Sequence, residues 1–150
     1  MTEMVVAVDP GRDKCGVAVV DAWGRVAEKA VVDTADLAHV ISELVRRREY
    51  KVAAVVVGDR TGARDTVRRL TDAGVSKDLI HLVDEHRSSE IGRRRYWRDN
   101  PPRGWRRLIP VGLQVPPGPY DDYVAVELAC RYLSSFRGEA ERVRPRRRRK

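Results

Sequence analysis

The chain has 150 residues, 42% of them hydrophobic and 35% charged, with a formal net charge of +8. That length can bury one proper core, so a single domain is expected. No run of about 18 apolar residues is present, which excludes a membrane-spanning helix, and the start of the chain lacks the pattern of a signal peptide; a cytoplasmic protein is expected.

Residues 4–9 form a continuous apolar run closed by Asp9, the pattern of a central strand. Residues 15–20 make a second run, Asp21, Ala22, Trp23 and Gly24 a turn, and residues 25–32 a third strand, together an antiparallel meander. Cys15 and Cys130 sit in apolar runs and read as buried free thiols. The period then changes. Leu37, Val40, Ile41, Leu44 and Val45 recur at helical spacing, with Thr34 or Asp36 able to cap the start. Residues 52–57 are a valine-rich strand and residues 58–62 a loop. Val67, Leu70 and Ala73 mark a second helix, stopped at Gly74. Residues 79–83 give a fifth strand, and a helix is expected over 89–97. Residues 100–119 are irregular and hold six prolines. The last helix is expected over 120–136.

This order predicts an α/β fold: a five-stranded mixed sheet, three antiparallel strands and then two parallel, flanked by helices. Right-handed crossovers set the fourth and fifth strands parallel to the first. The carboxyl ends of strands one, four and five then share one edge, where open α/β sheets carry their sites. Asp9, Gly58 and Glu85 fall at those ends. The domain is expected to span residues 1–136, followed by a basic, disordered tail over 137–150. Residues 142–150 hold seven basic residues and no acid, and without them the net charge is +1. Like charges with nothing apolar to anchor them cannot pack, and such an arm suits phosphates or serves only as a solubilising end.

Three acidic positions carry the chemistry. Asp9 closes an apolar strand and precedes Pro10 and Gly11, which allow a close backbone approach; the plainer reading is a turn-initiating Asp before Pro. Glu85 stands beside Asp84 at a strand end, where two acids repel unless a cation or solvent compensates. Asp121 and Asp122 open the last helix. The stripe defined by Val124, Ala125, Leu128, Ala129, Tyr132 and Leu133 puts Asp121 near its middle and Asp122 toward its edge. An acid there is either costly or bound to something, or else it caps the helix. Taken together, Asp9, Glu85 and Asp121 or Asp122 suit Mg²⁺ or Mn²⁺, which take oxygen ligands and leave positions open for water and phosphate. His39, His81 and His86 lack the spacing of zinc ligands.

Residues 93–107 hold seven arginines against one acid, Asp99, with Tyr96, Trp97 and Trp105 interleaved. Arginine grips phosphate and aromatic rings stack on unpaired bases. Arg93, Arg94, Arg95, Trp97, Arg103, Trp105, Arg106 and Arg107 are therefore expected to bind nucleic acid, RNA or branched DNA, with Lys14 near the acids. No membrane partner is expected. Cutting a junction would need two sites and hence a homodimer.

Residues 7–21, Ala-Val-Asp-Pro-Gly-Arg-Asp-Lys-Cys-Gly-Val-Ala-Val-Val-Asp, resemble the opening strand and hairpin of the YqgF (RuvX) family, in the RuvC-like branch of the RNase H superfamily. Val83-Asp84-Glu85-His86-Arg87-Ser88-Ser89 is similar to that family's Asp-Glu-Arg-x-Ser/Thr-Thr motif. Asp121-Asp122-Tyr123-Val124-Ala125-Val126-Glu127-Leu128 resembles its final helix, and matching that helix through Tyr132 and Leu133 selects Asp121 as the ligand. The resemblance runs from Met4 to Leu133 with the motifs in order. It implies an RNase H-like fold and a divalent-metal-dependent endonuclease, acting in ribosomal RNA precursor maturation or Holliday-junction resolution. The loop Gly58-Asp59-Arg60-Thr61-Gly62-Ala63-Arg64 looks more like the YqgF-like domain of Tex-type transcription accessory proteins. That favours the alternative of a nucleic-acid-binding module with the fold but no catalysis.

Overall fold

A computed structural model describes residues 3–47, 49–59, 62–84, 88–101 and 121–143, with residues 88–90 and 136–143 described by their backbone alone. Five strands, β1 (Glu3–Asp9), β2 (Lys14–Asp21), β3 (Val26–Asp33), β4 (Lys51–Gly58) and β5 (Ile80–Val83), form one sheet in the order β3-β2-β1-β4-β5. The β1–β2 and β2–β3 pairs are antiparallel, and β4 and β5 run parallel to β1. The mixed five-stranded sheet and its strand directions are the expected ones.

The two faces of the sheet are covered differently. β1 and β2 are buried on both faces, which is why they read as unbroken apolar runs. Val6, Val8, Val17, Val19, Val55 and Val57 face α1 (Leu37–Arg46) and α2 (Ala63–Asp72). Helix α1 buries Leu37, Ile41 and Leu44, one stripe at helical spacing. Helix α2 ends in a Schellman motif: Val75 N donates to Leu70 O and Gly74 N to Thr71 O, each at 3.0 Å, with Gly74 at φ 96°. The other face presents Val5, Ala7, Ala18, Val20, Ala54 and Val56 to α4 (Asp121–Val143). Three of those six are alanines, so the helix lies close to the sheet. Helix α3 (Ser88–Asp99) packs on α4 where Gly92 meets Val124; a β-carbon at 92 would stand 2.7 Å from Val124 Cγ2.

Several expectations change. Neither Thr34 nor Asp36 caps α1 through its side chain: a short 3₁₀ turn over Thr34–Asp36 precedes the helix. The Thr34 hydroxyl instead donates to Gly11 O at 2.9 Å, tying the β1–β2 loop to the end of β3. Helix α4 runs to Val143, past the expected end at residue 136, because Glu139, Ala140 and Glu141 are good helix formers that outweigh Gly138. The tail boundary at 137 therefore falls inside the helix, and residues 144–150 lie outside the described residues. Cys15 is buried as expected, while Cys130 is half-buried. Among the described residues, no helix is long and apolar enough to cross a membrane.

Candidate functional site

Strand alternation puts Asp9 on the same face as Val5 and Ala7, the face that carries α4. Asp9 lies opposite Gly16 in the β1–β2 register. Gly16 lies in turn against the main chain of Asp121, where even a β-carbon would overlap the Asp121 carbonyl. The acid that closes β1 and the acid that opens α4 thus flank one glycine. A glycine inside a strand marks such a close backbone approach, so Gly16 is the residue in the sequence that signals this contact.

The two acids of α4 differ in their surroundings. Asp122 is 8% exposed, its Oδ2 3.0 Å from Lys29 Nζ of β3 and its Oδ1 accepting from Tyr123 N at 3.0 Å. Burial pulls the Lys29 ammonium down, but the hydrogen bond to Asp122 and its charge outweigh this and raise it overall. Asp121 is half-buried. Burial, and next the Asp122 carboxylate, push its carboxyl above the ordinary value of 3.8, while Lys14 draws it down. The expected order, with Asp121 at the middle of the buried stripe and Asp122 at its edge, is reversed in burial. Residues Asp122 to Ala129 are all buried, so the first two turns of α4 have no exposed side from which to read a phase.

Lys14 opens β2 close enough to Asp121 to act on its charge. Glu85, His86, Arg103, Trp105, Arg106 and Arg107 lie outside the described residues. Asp84, at the end of β5, accepts through its main-chain carbonyl from Arg131 Nη1 at 2.9 Å. Among the described residues no group of three His, Cys, Asp or Glu side chains is arranged to hold a metal ion.

The arginine-rich helix α3 needs correction. Trp97 is 7% exposed and meets Tyr96 edge-on at 5.3 Å, so its ring faces protein and is not offered for stacking on a base. Arg95 Nη2 holds Glu127 Oε2 at 3.1 Å, which commits its guanidinium to the fold and not to phosphate. Glu127, 8% exposed inside an apolar run, also takes Arg131 Nε at 3.2 Å. An acid in that run was visible in the sequence, but its two cations lie 32 residues before it and four after, and only the nearer one was within helical reach. Arg93 is half-buried; Arg94 and Arg98 are exposed.

Three antiparallel strands followed by two parallel ones, with a long helix crossing one face and acids closing β1 and opening that helix, define an RNase H-like fold. Among solved structures the chain is similar to Thermus thermophilus RuvC, with a TM-score of 0.53 and 15% identity over 90% of this chain and 96% of that one. It is also similar to T. thermophilus RuvC in complex with Holliday junction substrate, with a TM-score of 0.57 and 18% identity over 91% of this chain and 96% of that one. At these identities the likeness establishes the fold. No protein-family profile matches the chain, and no curated protein sequence does.

Proposed function

We propose that this protein is a divalent-metal-dependent endonuclease of the YqgF/RuvX type that hydrolyses phosphodiester bonds in structured nucleic acid. The observation that supports this reading is that Asp9 and the main chain of Asp121 both adjoin Gly16, on the sheet edge of a RuvC-like fold. The RuvC neighbour is bound to a Holliday junction, which supports branched nucleic acid as the substrate class; ribosomal RNA precursor is the other substrate the motifs suggest.

The donor set fits Mg²⁺ or Mn²⁺. Both ions prefer carboxylate oxygen, and the Asp121 carboxyl sits where burial and Asp122 disfavour its ionised form, a penalty that a bound cation offsets. Asp9, Glu85 and Asp121 are assigned as ligands, Glu85 from its motif. When bound, such an ion acidifies water and stabilises charge on phosphoryl oxygens. The chain's own part is to hold that charge in place. Asp9 is fixed by the β1 ladder and Asp121 by the seat of α4 on Gly16. Lys14, whose charge acts on Asp121, is placed to neutralise a phosphate oxygen at the margin of the site. The exposed Arg94 and Arg98, with arginines 103, 106 and 107, supply further phosphate contacts. Two-strand cleavage of a junction would require a second copy of the chain.

The test is a cleavage panel in Mn²⁺ and Mg²⁺ on a four-way junction, a ribosomal RNA precursor and single-stranded RNA. Asp9→Asn serves as the inactive control. Binding without cleavage of any substrate would replace this reading with that of a non-catalytic nucleic-acid-binding module.

A further inference from the structure

We propose that Lys29 is a positioning residue for the metal site: by holding Asp122 it fixes the rotation of the first turn of α4 and so aims Asp121 at Asp9. This rests on the metal-site reading above.

Two adjacent acids on a helix are separated by about 100° around its axis, so fixing one fixes the other. Lys29 lies opposite Ala18 in the β2–β3 register, and Ala18 belongs to the face that carries α4. Its stem therefore rises toward the helix. Lys29 Nζ reaches Asp122 Oδ2 at 3.0 Å and stands 4.1 Å from the centre of the Tyr123 ring. A carboxylate as buried as Asp122 is costly without its cation, and the aromatic face adds to the hold on the ammonium. Tyr123 is secured from the far side: its ring meets Tyr96 of α3 edge-on at 5.7 Å, and its hydroxyl accepts from Asn100 Nδ2 at 3.3 Å. The first turn of α4 is thus gripped from β3 by Lys29, from β2 by Gly16, from α3 by Tyr96 and from just past the end of α3 by Asn100.

The two acids divide their roles accordingly. Asp122 is neutralised by the protein's own cation. Asp121, among the described residues, makes no hydrogen bond or ion pair through its carboxylate and feels Lys14 only as a nearby charge. Among the described residues it is thus the acid available to an external cation. The sequence alone offers no reason to connect Lys29 with this site: residue 29 is one of several charged positions on an exposed edge strand, 93 residues from its partner.

The experiment titrates Mn²⁺ into the full-length protein by calorimetry for wild type, Lys29→Met, Lys29→Arg, Asp122→Asn, Asp121→Asn and the Lys29→Met/Asp122→Asn double variant. Amide exchange at Ala125 and Val126, whose helical bonds return to Asp121 and Asp122, is followed in metal-free protein. Lys29→Met is expected to weaken Mn²⁺ binding about 10-fold, the scale of losing a group that orients a ligand, and to speed exchange at both amides. Lys29→Arg restores most of both. Asp122→Asn matches Lys29→Met, and the double variant is no weaker than either, because both break one interaction. Should Lys29→Met not fold, Asp122→Asn carries the same comparison.

If Lys29→Met binds Mn²⁺ as tightly as wild type, or more tightly because the freed Asp122 is itself the ligand, the proposal is overturned. Failure of the metal reading itself appears separately, as absence of Mn²⁺ binding in the wild type or unchanged binding in Asp121→Asn. Unchanged amide exchange in Lys29→Met overturns the positioning role whatever the metal result.

Discussion

Gly16 and Asp121 touch through their main chains: no side chain larger than hydrogen fits at residue 16 without overlapping the carbonyl of residue 121. Because the obstacle is backbone, it cannot rotate aside. Gly16→Ala is therefore expected to cost about 1–3 kcal/mol, the range for overpacking. For a domain of this size that lowers Tm by roughly 2–4 °C per kcal/mol. The same variant should lose Mn²⁺ affinity even below its melting range, since the helix start moves away from Asp9. A calorimetric scan and a metal titration check both parts, and an unshifted Tm would refute the close seating of α4.

Asp9→Asn removes one charge and leaves the shape of the strand end intact. Cleavage is expected to fall by about 100-fold or more, the scale of losing a main electrostatic contribution to the transition state. Binding to a four-way junction and the melting temperature should change little. Retained turnover would exclude Asp9 from the reaction.

The raised carboxyl of Asp121 gives a pH signature in metal-free protein. Its folded value lies above the ordinary 3.8, so the folded state binds the proton more tightly than the unfolded state. The group's favourable contribution is complete below pH 3.8 and is lost as pH rises through the folded value. Asp121→Asn removes that loss. The stability difference, variant minus wild type, should therefore grow with pH from 3.8 upward and then level off. The helix dipole favours the acid by about 0.5 kcal/mol, so the pH slope is the informative quantity, not the absolute Tm. A flat difference across this range would contradict the assignment, and added Mn²⁺ should reverse the trend in the wild type only.

Glu127 holds Arg95 of α3 and Arg131 of its own helix, and Arg131 continues to the carbonyl of Asp84 at the end of β5. Glu127→Ala strands two guanidinium groups. Removing one partner of a fully buried pair costs about 3–5 kcal/mol. Arg95 and Arg131 keep 29% and 22% side-chain exposure, so screening reduces the expected loss to about 1–3 kcal/mol. Urea denaturation measures it, and an unchanged midpoint would mean the network contributes nothing net.

Truncation after Val143 removes six basic residues beyond the end of α4. If they meet phosphates, the log–log salt slope of nucleic-acid binding should flatten by roughly 2 to 4 units. Cleavage at saturating substrate should persist. Parallel salt series on the full and truncated chains decide this, identical slopes meaning a solubilising end only.

The sheet was legible because β1, β2 and β4 are buried on both faces and so stay apolar for most of their length, while the crossover rule fixed the directions of β4 and β5. Asp9 was legible for the same reason: an acid that ends such a run has to lie at the sheet edge. The choice between Asp121 and Asp122 was not legible from periodicity. Helix α4 is enclosed by the sheet and α3 through its first two turns, and enclosure on several sides erases the phase that an amphipathic pattern carries. Composition does not reveal that Arg95 and Trp97 are committed to the fold. Seven arginines and two tryptophans suggested a surface, but the meeting of Gly92 with Val124 turns part of α3 inward. Packing between helices joined by a long segment leaves little local trace.

The alanines beneath α4 make the two faces of the sheet unequal targets for engineering. On the face toward α1 and α2, Val6, Val17, Val55 and their neighbours can be repacked for thermal tolerance with consequences confined to the core. On the other face, enlarging Ala7, Ala18 or Ala54 would lift the helix that carries Asp121. A more heat-resistant form of this protein is thus best sought through the first face, and selection for stability alone through the second would shift Asp121 from its seat on Gly16.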